Sequence, residues 1–123
     1  MKVTQLNHVA LHVEDLERSC AYYHDVLGLI PIERPAFAFP GAWYRLGVDQ
    51  ELHLIARPIH GDPTPRERHW ALRVDDLDAF ATHLRAGGID FTGPFPRPDG
   101  AMQLFLRDPD GHVIELCELS GRH

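Results

Sequence analysis

The chain has 123 residues, 44% hydrophobic and 24% charged, with a formal net charge of -6 when its histidines are neutral. That length suits one domain or two small fused modules, with enough apolar content for a modest core. The acidic balance argues against a nucleic-acid partner, and no apolar run is long enough for a membrane span. Two cysteines, Cys20 and Cys117, do not make a disulfide framework, and Met1-Lys2-Val3-Thr4-Gln5 is not the apolar start of a signal peptide. A reduced, cytoplasmic setting is expected.

In chain order, residues 6–13 alternate and predict a strand. Asp15 is placed to cap a helix running to about Leu27 and stopped by Gly28. A short strand at 29–34 ends at Pro35, and a loop from Pro35 to Gly41 follows. Strands are predicted near 42–47 and 51–57, then a proline-rich linker over 58–66. The second half repeats the plan: a strand at 68–74, a helix at 76–86, and strands near 90–95, 101–107 and 112–118. Its turns are Pro98-Asp99-Gly100 and Asp108-Pro109-Asp110-Gly111.

The halves also match residue by residue. His8, Ala10, Leu11, Val13, Asp15 and Leu16 align with His69, Ala71, Leu72, Val74, Asp76 and Leu77. Near the far ends Arg45 aligns with Arg107, and His53 falls within a residue of the place of Glu115. Agreement at both ends in the same order points to a duplication. The expected fold is α+β: two βαβββ modules in tandem, about 1–57 and about 67–119, within one domain spanning 1–123.

Strand alternation places Val9, Leu11 and Val13 on one face and His8, Ala10 and His12 on the other. Likewise Trp70, Leu72 and Val74 oppose His69, Ala71 and Arg73. The polar faces carry a small alanine at their centre, which leaves room for a bound group. The last strand of each module adds His53, Ile55 and Arg57, and Val113, Glu115 and Cys117. His8, His53, His69 and Glu115 are therefore candidate metal ligands. Imidazole with carboxylate suits zinc, nickel, cobalt, manganese or iron(II), and suits calcium or magnesium poorly. For His53 a supporting or acid–base role is the alternative. Of the nine histidines, His24, His60, His83 and His123 read as surface residues. Phe37, Phe39, Trp43 and Tyr44 are candidates for the mouth of a cavity, with the 35–41 loop over it, and Trp70 for the core.

The chain resembles the vicinal oxygen chelate superfamily, which includes glyoxalase I, extradiol dioxygenases and fosfomycin-resistance thiol transferases. The resemblance rests on Asn7-His8-Val9-Ala10, on Tyr22-Tyr23-His24-Asp25-Val26-Leu27-Gly28-Leu29, on His69-Trp70-Ala71-Leu72, and on Asp108 through Leu116. It implies a cupped, mostly antiparallel sheet around one divalent metal ion, a small-molecule substrate and a homodimer, with ligands from one chain or two. It also implies glyoxalase-type chemistry, in which the metal stabilises an enediolate or oxyanion and Glu115 serves as base. His53 stands where glyoxalase I commonly has a second glutamate. That substitution makes the site formally +1, which favours an oxyanion but weakens a carboxylate base. His12 stands where the glyoxalase I pattern carries an arginine for glutathione. His12, Arg57 and Arg73 are the candidate substrate-binding residues, with plain surface charge an equal reading for the two arginines. An iron(II) extradiol-type dioxygenase, a thiol transferase and a non-catalytic binding or resistance protein are the alternatives.

Overall fold

The computed structural model describes residues 1–61 and 63–119, so the reading of His123 lies outside the described residues. The chain divides into two compact units, Met1–Gly61 and Asp62–His123. Unit 1 runs β1 (His8–Val13), α1 (Leu16–Ala21), β2 (Ile30–Ile32), β3 (Gly41–Leu46) and β4 (Gln50–Ala56). Unit 2 runs β5 (His69–Arg73), α2 (Leu77–Ala86), β6 (Phe91–Pro96), β7 (Met102–Arg107) and β8 (Val113–Glu118). Each is a βαβββ module, and the fold is α+β as the sequence predicts.

Each unit holds a four-stranded mixed sheet, ordered β1-β4-β3-β2 in the first and β5-β8-β7-β6 in the second. The helix carries the chain from the first strand to the far edge, and antiparallel neighbours bring it back. The last strand thus lies parallel to the first. Asp15 and Asp76 start the helices as expected, each carboxylate accepting the backbone N–H three residues on, Arg18 and Ala79.

The first helix departs from its predicted form. After Ala21 it widens into a π-helical turn over Tyr22–Val26, where the Leu27 N–H donates to the Tyr22 carbonyl. A hydrogen-bond slip of this kind leaves no mark on apolar spacing. Tyr23 and Leu27 are both buried, and Gly28 then leaves the helix at φ 69°, which only glycine adopts cheaply.

The core of unit 1 gathers Val13, Tyr23, Leu27, Tyr44, Leu46, Leu52 and Leu54. That of unit 2 gathers Leu77, Ala81, Leu84, Leu104, Leu106, Ile114 and Leu116. Burying such leucines stabilises by about 1.5–3 kcal/mol each, against the entropy of ordering them. Among the described residues, no helix is long and apolar enough to cross a membrane.

Candidate functional site

The strand register makes the duplication exact at the candidate site. Ala10 on β1 pairs with His53 on β4, and Ala71 on β5 pairs with Glu115 on β8. His53 and Glu115 therefore occupy the same place in their modules. On the third strand, Trp43 pairs with His53 and Phe105 with Glu115. Each module presents one such face: His8, His53 and Trp43 in the first, His69, Glu115 and Phe105 in the second. The opposite faces carry the leucine core.

In unit 2, His69 Nε2 lies 3.1 Å from Glu115 Oε1, and His69 Nδ1 lies 3.0 Å from the Arg66 carbonyl oxygen. Both ring nitrogens thus face oxygen acceptors. A neutral imidazole has one N–H and satisfies one of them. With Nδ1–H donating to the carbonyl, Nε2 turns a lone pair toward a carboxylate. That contact needs a positive charge, either a proton on Nε2 or a cation beside it. Two donor atoms bound at about 2.0–2.2 Å to one ion stand roughly 3.0–3.5 Å apart, so a small movement of this pair would admit one. The Glu115 side chain is 7% exposed, and the His69 side chain 29%.

In unit 1, His8 Nδ1 lies 2.8 Å from Asn7 Oδ1, so the ring again gives its Nδ1 proton to an oxygen and keeps a lone pair on Nε2. His53 is held differently. Its ring stacks on Trp43 at 3.8 Å and 5°, and on His8 at 4.3 Å and 19°. Its Nε2 donates to Glu51 Oε1 at 2.9 Å, leaving the lone pair on Nδ1. A ligating imidazole holds its metal in the ring plane. Two nearly parallel stacked rings do not aim their in-plane lone pairs at one point, so a shared ion requires one ring to turn out of the stack.

The donors thus come as two pairs, His8 with His53 and His69 with Glu115. Among the described residues, no group of three or more His, Cys, Asp or Glu side chains stands as a ready metal cluster. His12 is exposed on the His8 face, paired across the sheet with Ile55. Arg73 is exposed at the end of β5, paired with Cys117. Arg57 follows β4 and is exposed, with its guanidinium carbon 5.7 Å from the centre of the Phe39 ring. His24, His60 and His83 are exposed, as their sequence reading expects.

One aromatic expectation is corrected. Tyr44 does not line a mouth: it alternates with Trp43 onto the core face, is 4% exposed, and donates its hydroxyl to the Cys20 carbonyl. Burial pushes its phenol well above the usual range. Both cysteines are free thiols. Burial, and then the neighbouring Glu115 carboxylate, push the Cys117 thiol up, which disfavours a reactive thiolate there.

Two side chains at this site escaped the sequence reading. Glu51 shares the His53 face two residues earlier on β4, a signal that strand alternation does contain. Arg97, from the β6–β7 hairpin, places Nη1 3.4 Å from Glu115 Oε2 while Asp99 accepts from its Nε and Nη2. Arg97 therefore holds one Glu115 oxygen and leaves the other to His69. Nothing in the local sequence pairs these two residues.

The family model for the glyoxalase/bleomycin resistance protein/dioxygenase superfamily matches residues 5–116. The chain is 32% identical to Glyoxylase I 4 of Arabidopsis thaliana, over 95% of its own length and 72% of that protein's. It is 32% identical to the lactoylglutathione lyase of Haemophilus influenzae, covering 93% of this chain and 92% of the relative. It is 32% identical to the glutathione transferase FosA of Serratia marcescens, with 90% and 78% covered. Among solved structures, a Bacillus anthracis protein assigned to the glyoxalase family superposes with a TM-score of 0.84 at 26% identity, covering 96% of this chain and 97% of that one. An antibiotic binding protein from a Streptomyces species superposes at 0.79 and 26%, with 98% of each chain covered. With the family model spanning nearly the whole chain and the duplicated βαβββ modules in register, this protein belongs to the glyoxalase/bleomycin resistance protein/dioxygenase superfamily.

Proposed function

We propose that the protein is a divalent-metal-dependent enzyme of the glyoxalase type, an isomerase or lyase acting on a small carbonyl compound or its thiol adduct. The carrying observation is the His69–Glu115 pair: an imidazole nitrogen and a carboxylate oxygen 3.1 Å apart on the paired strands β5 and β8, a donor set that suits a divalent ion. In this reading His8, His53, His69 and Glu115 hold the ion, from one chain or from two copies. His8 and His69 would give Nε2, the nitrogen left free by Asn7 and by the Arg66 carbonyl. His53 would give Nδ1, the nitrogen that Glu51 leaves free.

When bound, the ion supplies a Lewis acid for a substrate oxygen. The remaining work falls to side chains. Glu115 takes the proton next to the substrate carbonyl, and Arg97 fixes the orientation of its carboxylate. Glu51 returns to the site the second carboxylate that position 53 lacks, acting through the His53 ring. Replacing Glu51 by alanine is expected to weaken zinc binding about 10- to 100-fold, as loss of a ligand's supporting carboxylate does. Glutamine, which still accepts from Nε2–H, should restore most of it. Competition with a chromogenic chelator reads both, and equal affinity in wild type and alanine variant excludes this role.

The reading as a whole is tested by metal analysis of the purified protein, followed by assay of hemithioacetals after adding zinc, nickel, cobalt, manganese or iron(II). Turnover restored by one of these ions is expected. Full metal occupancy with no turnover of any thiol adduct rejects the glyoxalase reaction.

A second reading, thiol transfer, draws on the stacking of His53 between Trp43 and His8, which leaves His8, His69 and Glu115 as a three-ligand set. It is the reading that the name of the Serratia relative supports. Oxygen uptake with catechols separates both from an iron(II) dioxygenase. A non-catalytic binder would keep its function in a Glu115→Gln variant.

A further inference from the structure

The loop between β2 and β3 builds an aromatic surface that the metal reading leaves unused. Phe37 is 47% exposed and stacks on Phe39, with ring centres 5.3 Å apart at 24°. Its other neighbour is Trp43, at 6.0 Å, and Trp43 lies flat on His53. A strip of rings thus runs from the loop to a candidate ligand within unit 1. Phe37 is the one exposed Phe, Tyr or Trp side chain among the described residues.

The strip is positively charged at its loop end. The guanidinium carbon of Arg34 sits 4.9 Å from the Phe37 centre and 5.0 Å from the Phe39 centre, and that of Arg57 sits 5.7 Å from Phe39. Arg34 Nη2 donates to the Phe39 carbonyl, and Arg34 Nε is buried without a hydrogen-bond partner. Among the described residues, no carboxylate pairs with either arginine. In a chain of net charge -6, two cations beside one ring without an acidic partner make a local positive potential. An anion is drawn to it, and the exposed Phe37 ring beside Arg34 favours a flat one.

We infer that this surface is a substrate platform for a flat, conjugated group bearing a carboxylate. The ring system rests on Phe37 and Trp43, and the anion lies by Phe39 between Arg34 and Arg57. The inference names the substrate class of the proposed enzyme and rests on that reading for its placement beside His53. The chemistry selected is that of an aryl-substituted oxo acid or its thiol adduct, in preference to a small aliphatic aldehyde.

The test is calorimetric titration of the full-length protein with three probes: 2-naphthoate, cyclohexanecarboxylate, which is an anion without a flat face, and 2-naphthylmethanol, which is flat without a charge. Naphthoate is expected to bind at least about tenfold more tightly than either, since it alone makes both the ring and the ion contact. Phe37→Leu should weaken naphthoate about tenfold and leave cyclohexanecarboxylate unchanged. Arg57→Gln should bring naphthoate down to the level of naphthylmethanol and leave the alcohol unchanged. Both side chains are exposed, so both variants should keep the wild-type circular dichroism spectrum.

Equal affinity for the three probes, or naphthoate binding unmoved in both variants, overturns the platform. So does a Phe37→Leu protein that binds as before but sediments as a smaller species, since the face then belongs to a second copy of the chain. The two readings fail separately. Naphthoate selectivity kept in Glu115→Gln, with no zinc bound even by the wild type, sustains the platform and removes the metal enzyme. Zinc bound without naphthoate selectivity does the reverse.

Discussion

Replacing Glu115 by glutamine is expected to lower zinc affinity by two orders of magnitude or more and to abolish measurable turnover. The substitution keeps the shape of a nearly buried side chain, so packing in β8 is conserved. It removes the negative charge that faces His69 through one oxygen and the Arg97 guanidinium through the other. A neutral amide is a poor partner for a divalent ion, and this loss exceeds the roughly 10- to 100-fold expected of a merely supporting residue. As a proton acceptor the amide is useless, and loss of a general base costs about 10²- to 10⁴-fold in rate. The metal-free fold should be little changed, because Arg97 retains Asp99. The measurement is therefore a thermal shift. Wild-type protein should melt higher with excess zinc, since a ligand that binds only the native state stabilises it by mass action. Glu115→Gln should melt at about the same temperature with and without zinc. A full zinc shift in the variant would remove Glu115 from the ligand set.

The candidate site was legible where its placement rests on periodicity and repetition. Strand alternation puts His8 and His69 on matching faces, and the repeated strings around them give the βαβββ plan twice. Asp15 and Asp76 mark the helix starts because a carboxylate ahead of an apolar run has one local use. What strand alternation cannot give is pairing across long separations. His53 looked a residue out of step with Glu115, and the parallel pairing of β4 with β1 and of β8 with β5 shows that they coincide. Arg97 was not legible because its reach to Glu115 depends on the trajectory of a hairpin. Tyr44 was misread for a simpler reason. It follows Trp43 by one residue, and one residue along a strand is the other face of the sheet.

The largest expected stability effect lies at a residue with no functional group. Gly41 opens β3 opposite Ile55, and a Cβ there would lie 2.4 Å from the Leu54 carbonyl oxygen and 3.0 Å from Arg34 Nε and Nη2. The constraint is space, since Gly41 is not among the glycines at positive φ. Neither neighbour gives way cheaply. The Leu54 carbonyl is backbone in a strand paired on both sides, with Leu11 and with Ala42. Arg34 is tied to the Phe39 carbonyl and packed against two rings. Gly41→Ala must therefore push β3 away from β4 or expel Arg34 from its loop, and overpacking of this kind costs about 1–3 kcal/mol or more. For a chain of this size the melting temperature should fall by on the order of 10 °C. The consequence is not only thermal. Leu54 is the residue after His53, and Arg34 is one of the two cations of the aromatic strip, so either relaxation moves a group placed at the site. Under the platform proposal, Gly41→Ala should lose naphthoate binding even well below its melting temperature. If it instead melts like wild type, β3 and β4 have more room here than the register allows, and the anchoring of Arg34 beside Phe39 must be assigned differently.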